Sequence, residues 1–395
     1  MRGEGLAVWL LAVGQTLTYA ALYYSFAALL PDLEVATGWS KAQLAAGPTL
    51  AFLITAVLTP VTGRLVDRGW GGEMLTLLPL IGAVALAGLA FAPTPGVWLL
   101  LWALIGVAQS GSLYETCFAF LTRRLGDGAR AAITRVTLVA GFASTLAFPL
   151  GDMLGRAFGG RGALIAFAAI VVAGAVPANL WGVRRLRRME RADNRRPPPE
   201  PDALRAALRR PAFWLVAAVF GAVWLNHALL ITYALTLFAD RGAGAALAVL
   251  AASCIGPAQV AGRVLLMLNE TRVDNRAALL LSLICIVLAA GLLWAAGLAP
   301  GLIFGFALMQ GAGAGLLSIL RPVLLAEKLG RRGFGAISGA VAVAPILATA
   351  AGPSFGALLL GWGGATAVYA TCLGLGLLGF GLGVLLVRCP APEQG

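Results

Sequence analysis

The chain has 395 residues, of which 60% are hydrophobic and 12% charged, with a mean hydropathy of +0.88 and a formal net charge of +12. That balance excludes a soluble globular domain with an ordinary polar surface. It also excludes nucleic acid as a partner unless the basic residues share one solvated face, and their positions along the chain do not provide one.

Crossing about 30 Å of hydrocarbon takes roughly 20 mostly apolar residues as helix, because each residue advances about 1.5 Å and every backbone polar group must be satisfied internally. Twelve such spans are predicted, over 6–30, 42–62, 73–91, 97–121, 131–153, 163–183, 211–238, 245–263, 277–297, 301–325, 335–360 and 364–387. The first is too long, and lacks the small-residue cleavage site, for a removable signal peptide, so it is expected to stay as a helix. A polar, arginine-rich segment at 184–210, broken by Pro197, Pro198 and Pro199, parts the spans six and six. The expected organisation is an N-terminal six-helix bundle (1–183), a basic cytoplasmic linker (184–210) and a C-terminal six-helix bundle (211–395), in an all-α integral membrane fold.

With an even number of spans both ends of the chain lie on one side. That side holds 25 of the 29 lysines and arginines, and the other holds Lys41, Arg156, Arg161 and Arg241. This asymmetry puts both termini and the linker in the cytoplasm, as in a bacterial inner membrane. The linker arginines are suited to rest on anionic lipid headgroups. Five cysteines without CxxC spacing imply neither disulfides nor a metal, and no cofactor is implied.

Residues 112–164 repeat 204 positions later: Leu113 falls on Leu317, Leu125-Gly126 on Leu329-Gly330, Pro149 on Pro353 and Gly159-Gly160 on Gly363-Gly364. Apolar similarity explains matching leucines but not matching proline and glycine punctuation, so the two halves read as a duplication. Two parallel six-helix repeats with a cytoplasmic linker resemble the major facilitator superfamily (MFS) transporters, over essentially the whole chain. After span 2, Gly63-Arg64-Leu65-Val66-Asp67-Arg68 is similar to that family's G-x-L-x-D-R loop, while Trp70-Gly71-Gly72 replaces its basic tail. The resemblance implies a midplane substrate site between halves that rock against each other. It also implies a cytoplasmic gate of Gly63, Asp67 and Arg68, with the aspartate near the start of span 11. A turn whose charges simply stay in water is the other reading of this loop.

Tyr23-Tyr24-Ser25-Phe26, Gly38-Trp39-Ser40 and Leu44 are similar to the first external loop of oxalate/formate and monocarboxylate transporters. Gln259-Val260-Ala261-Gly262-Arg263 resembles the D-x-x-x-R of the monocarboxylate carriers, with glutamine in the acid's place.

Polar groups inside spans mark cavities or partners. Apart from Glu73 at the edge of span 3, spans 3, 6, 9 and 12 hold no ionisable charge, while spans 1, 4, 5, 7, 8 and 10 hold Gln15, Tyr19, Tyr23, Gln109, Glu115, Arg135, Asn226, His227, Gln259, Arg263, Gln310 and Arg321. Gln15, Tyr19 and Tyr23, four residues apart, share one face of span 1; they read as substrate contacts or as a polar seam against a neighbouring helix. His227, the sole histidine, reads as a substrate or proton ligand, or as a hydrogen-bonded structural group. Glu115 and Arg135 lie near the cytoplasmic ends of spans 4 and 5, within reach of a buried ion pair; in the sharper reading Glu115 carries the coupling proton and Arg135 tunes it. Arg263 and Arg321 either snorkel to the interface or offer positive charge to an anion.

The expectation is a monomeric, proton-coupled secondary transporter of a small organic anion, resembling the monocarboxylate carriers, with the direction of transport left open. Proton-driven efflux of lipophilic or cationic compounds is the alternative within the class, and a non-transporting sensor or scaffold the alternative outside it. No HExxH, GxSxG or P-loop motif points to an enzyme or an ATP-driven pump.

Overall fold

The computed structural model describes residues 2–193, 202–269 and 272–390. Arg195 and Arg196, part of the expected lipid-binding cluster, and the three linker prolines lie outside the described residues. Among the described residues there is no strand. Nine helical runs among them are long and apolar enough to cross a membrane: α1 (Gly5–Thr37), α2 (Ala42–Leu89), α3 (Pro95–Leu125), α4 (Ala129–Arg188), α5 (Pro211–Thr232), α6 (Ala246–Leu268), α7 (Asn275–Ala295), α8 (Leu302–Leu329) and α9 (Phe334–Arg388).

Three of these runs, α2, α4 and α9, are 48, 60 and 55 residues long, far more than one crossing uses. Each is broken at glycine. Gly69 (φ 98°) interrupts α2, Gly159 (φ 67°) interrupts α4, and Gly363-Gly364 (φ 63° at Gly364) interrupts α9. A side chain would be strained in that backbone, so glycine supplies the turn. Split at these points, the described runs give twelve crossings. Two of the three breaks are the glycine pairs that the 204-residue repeat superposes.

Local signals set the helix starts. Ser40 and Gln43 form a reciprocal capping box at the head of α2. Thr94 accepts from Val97 N–H, with Pro95 in the first turn of α3. Asp274 accepts from Ala277 N–H at 2.8 Å to start α7. Among the boundaries that differ from expectation, the sixth crossing does not end at 183 but continues as helix to Asp193. Its Arg, Leu, Met and Glu are good helix formers, and no proline intervenes before Pro197. The first linker arginines are therefore helical.

The chain forms two compact units, Met1–Leu204 with Arg331–Ala340, and Arg205–Gly330 with Val341–Gly395. In the first, Trp98, Trp102 and Phe167 centre a buried cluster with Leu22, Leu86 and Ile105. In the second, Phe238, Phe306 and Tyr369 do so with Leu229, Leu293 and Ile303. In that unit α6 and α8 pack closely because Gly311 and Gly315 repeat at four residues. A Cβ on Gly311 would lie 2.5 Å from the Ile255 carbonyl oxygen, and one on Gly315 would collide with the Gln259 carbonyl. This is the small-xxx-small contact of membrane helices. Val57, Phe91, Leu100, Leu265 and Trp362 are exposed. In water these would be costly, whereas acyl chains are their natural solvent.

Candidate functional site

In the first unit the fourth crossing is discontinuous. Helix Pro95–Ser112 stops at Leu113, whose backbone is extended (φ −89°, ψ −166°), and helix resumes at Tyr114–Leu125. A break at membrane depth frees carbonyl and amide groups that must find partners. Gln15 Nε2 donates to the Ser112 carbonyl at 2.8 Å, and Thr62 Oγ1 to the Ser110 carbonyl at 2.8 Å. On the other side of the break Tyr114 N–H donates to the Tyr19 hydroxyl at 3.4 Å. Gln15 and Tyr19 thus act as caps on the broken helix, the seam alternative named above, and Gln15 Oε1 is buried with no partner among the described residues.

The break is surrounded by aromatic rings. Tyr19 lies 4.4 Å from Tyr114 and 5.7 Å from Tyr23, and Tyr23 lies 5.2 Å from Phe52, centroid to centroid. The spacing of Tyr19 and Tyr23 survives a π-helical turn at Ala20–Tyr24, a local widening common at functional positions. Gln109, buried, donates to the Leu22 carbonyl at 2.7 Å and accepts from Thr55 at 3.2 Å, tying spans 1, 2 and 4 together. Glu115, half-buried, occupies the first turn after the break, where the helix N-terminus favours a carboxylate by about 0.3 to 1 kcal/mol. Arg135 is exposed, and no ion pair joins it to Glu115 among the described residues. The ion pair that helix positions put within reach is not made, and Arg135 stands at an exposed position.

The second unit gathers Asn226, His227 and Gln310. Gln310 Nε2 stands 3.1 Å from His227 Nδ1 and 3.3 Å from Asn226 Oδ1, and Asn226 Nδ2 donates to the Cys372 carbonyl at 2.7 Å. Asn226 and Gln310 are fully buried and His227 is half-buried. Arg263 does not snorkel: it is 5% exposed, and its Nε donates to the Gly315 carbonyl at 3.3 Å. Arg321 and Gln259 are half-buried. Asp152 and Arg156, on α4, form an exposed pair at 2.9 Å.

The loop at 63–73 forms a latch inside the first unit. Both Asp67 carboxylate oxygens accept a backbone N–H, from Gly335 and from Ala336, each at 2.8 Å. These amides open α9, so the carboxylate caps that helix start. Gly63 makes the contact possible, because a Cβ there would strike the Gly335 carbonyl. Burial pushes the Asp67 carboxyl above its usual range, against the opposing pull of the two amides and Arg123. Arg68 is exposed. Two arginines hold the loop from behind: Arg123 donates to the Asp67 carbonyl, and Arg187 pairs with Glu73 and donates to the Gly69 carbonyl at 3.2 Å. Sequence reasoning missed the Arg187–Glu73 pair, since its partners are 114 residues apart. It also missed Lys328, a buried residue whose Nζ donates to the Cys389 carbonyl at 2.6 Å and caps the end of α9. No group of three or more His, Cys, Asp or Glu side chains that could hold a metal occurs among the described residues.

Comparison with known proteins agrees with this architecture. The family model described as Major Facilitator Superfamily matches residues 11–344. A Thermoproteus tenax protein, described as an uncharacterized 38 kDa protein in a 23S RNA operon, is 29% identical over 174 residues, 44% of this chain and 46% of that one. The match therefore spans about half the length of that relative. The crystal structure of the human organic anion transporter MFSD10 (TETRAN) superposes with a TM-score of 0.71 at 20% identity, covering 96% of this chain and 99% of that one. A bacterial homologue of the iron transporter ferroportin, in an outward-facing state with soaked iron, gives 0.71 at 16% identity with the same coverage. At such identities the two structures share the fold.

Proposed function

The chain belongs to the Major Facilitator Superfamily, and on that premise we propose that it is a proton-coupled secondary transporter of a small organic anion, working by alternating access. The observation that carries the proposal is the break in the fourth crossing at Leu113, with Glu115 in the turn that follows. A carboxylate at membrane depth costs about 2.5 to 3.5 kcal/mol on insertion scales, so such groups are kept for ion and substrate pathways. Glu115 would bind a proton while facing one compartment and release it while facing the other. The buried guanidinium of Arg263 supplies fixed positive charge in the second unit, and its fork matches a carboxylate with two hydrogen bonds. The human structural relative is an organic anion transporter, which accords with this cargo.

In this reading Gln259, Arg321 and His227 contribute further polar contacts to the cargo, and Tyr23 an aromatic one. Gln15, Tyr19, Gln109, Asn226 and Gln310 hold the surrounding helices in register. Arg135 would tune Glu115 in a conformation other than this one. The Asp67 latch would open and re-form during each cycle. We place both termini in the cytoplasm of a bacterial inner membrane, with the protein monomeric and the linker arginines on anionic headgroups.

Uptake by purified protein in liposomes, against a panel of small carboxylates and with or without a pH gradient, tests the proposal. Gradient-stimulated uptake of a carboxylate that falls to the protein-free level in Arg263→Ala is expected. Carboxylate flux unchanged in both Arg263→Ala and Arg321→Ala would remove the anion reading. The tyrosine cluster at Tyr19, Tyr23 and Tyr114 favours a second reading, efflux of planar lipophilic or cationic compounds, since ring faces attract cations. Adding such compounds to the same panel separates the two.

A further inference from the structure

The polar chain in the second unit has a fixed direction. Asn226 Nδ2 is committed to the Cys372 carbonyl, so only Oδ1 is turned toward Gln310. The Gln310 group facing that oxygen must donate, and it is Nε2. A carboxamide NH2 offers two protons and accepts none. One proton goes to Asn226 Oδ1 and the other to His227 Nδ1, which must then be the unprotonated ring nitrogen. The imidazole proton sits on Nε2. Gln310 Oε1, in a fully buried side chain, has no partner among the described residues. An unmatched buried acceptor is a cost that the opposite amide orientation would redistribute. The present orientation prevails because Asn226 and a neutral His227 both demand a donor.

We propose that Gln310 is a positioning residue that locks His227 in its Nε2–H tautomer, and that a proton arriving at Nδ1 turns the Gln310 amide over and releases Asn226 from Cys372. The proposal rests on the proton-coupled reading above and adds to it a second protonation site beside Glu115. The proton joins the Nδ1 lone pair, and no covalent bond breaks. The new Nδ1–H needs an acceptor, which the turned amide provides as Oε1, while Nε2 moves to where Oε1 stood. Oε1 then faces Asn226 Oδ1 with no proton between them. Relief comes when the Asn226 amide turns as well, withdrawing Nδ2 from the Cys372 carbonyl and freeing a tie between α5 and the last crossing. Loss of the proton reverses each step.

Few groups on the helices that meet His227 compete for this proton, and the buried charge nearest along α8 is Arg263 of α6, which donates to the Gly315 carbonyl five residues from Gln310. His227 is the only ionisable residue on α5, and α8 carries none from Leu302 to Leu320. On α9, the other helix meeting it, the titratable groups are the Cys372 thiol, the Tyr369 hydroxyl bound to the Leu237 carbonyl and Asp240, and Arg388 at the far end. Arg321, the next charge on α8, is eleven residues beyond Gln310, roughly 16 Å along the helix.

Because His227 is the sole histidine, full-length protein labelled with ¹⁵N-histidine and reconstituted in lipid gives one imidazole spectrum by solid-state NMR. At neutral pH the wild type is expected to show a bare Nδ1 and a protonated Nε2. Gln310→Leu should give a mixture of both tautomers, and Gln310→Glu should protonate Nδ1 at a pH where the wild type does not. Asn226→Leu removes the opposing acceptor, so its imidazole should titrate at higher pH than the wild type. A wild-type Nδ1–H tautomer would overturn the lock even if every variant failed to fold, as would an unchanged spectrum in Gln310→Leu. An unchanged midpoint in Asn226→Leu would overturn the release of Asn226. The expected spectra together with gradient-independent uptake would instead remove proton coupling and leave the lock intact.

Discussion

Leu113 is an ordinary apolar residue in an extended backbone, and the residues around it meet the hydrogen bonds its helix gives up. Gln15 takes the Ser112 carbonyl and Tyr19 takes the Tyr114 amide, so two side chains whose four-residue spacing reads as substrate contacts or as a polar seam act here as structural caps. Replacing Gln15 by Ala would leave the Ser112 carbonyl unpaired in a dry site. The expected loss is about 1 to 3 kcal/mol of stability, read as a lower melting temperature in detergent. The break itself had a signal in the sequence, Ser110-Gly111-Ser112, because glycine and serine pairs are among the few recurrent causes of sharp kinks. A polarity count registers those residues only as polar groups in a span. Arg135 illustrates the opposite limit: helical position brought it within reach of Glu115, but the direction of a side chain around its helix axis cannot be read from span edges alone.

Helix pairs carry the next level of the account. Gly315 stands against the Gln259 backbone where α8 crosses α6, so Gly315→Leu should cost about 1 to 3 kcal/mol through overpacking, or prevent a stable fold, with melting temperature and monodispersity as the readouts. The latch at α9 has a pH dependence of definite sign. Asp67 binds a proton more tightly folded than unfolded, because burial outweighs its amide and arginine partners. Its contribution to stability is therefore full below the ordinary carboxylate range and declines as pH rises through the raised native value. Asp67→Asn should remove that slope from the melting temperature across mildly acid pH, and Asp67→Ala should cost about 1 kcal/mol by uncapping the helix. The latch contact lies close to the start of α9, the position the family resemblance named. Its support by Arg123 and Arg187 was hidden, because those partners come from distant turns of the chain.

The whole chain is a duplicated helical membrane protein, and most of that plan can be read before any coordinate is seen. Span lengths, the charge asymmetry and the glycine pairs at 159–160 and 363–364 are properties of the chain itself, and two of the helix breaks fall on those pairs. The halves also reuse one device that no residue match reveals. Gln109 on span 4 bonds span 1, and Gln310 on span 10 bonds span 7, from positions offset by 201 rather than 204 residues. Three-dimensional equivalence outlasts exact register because a helix face tolerates a shift of nearly one turn. The central claim is that movement of cargo is coupled to movement of protons. A pH-sensitive dye sealed inside liposomes that contain the protein tests it most directly. The account predicts that adding a transported carboxylate outside shifts the internal pH, and that Glu115→Gln loses this shift while remaining folded. Carboxylate entry with no change in internal pH in the wild type would contradict it.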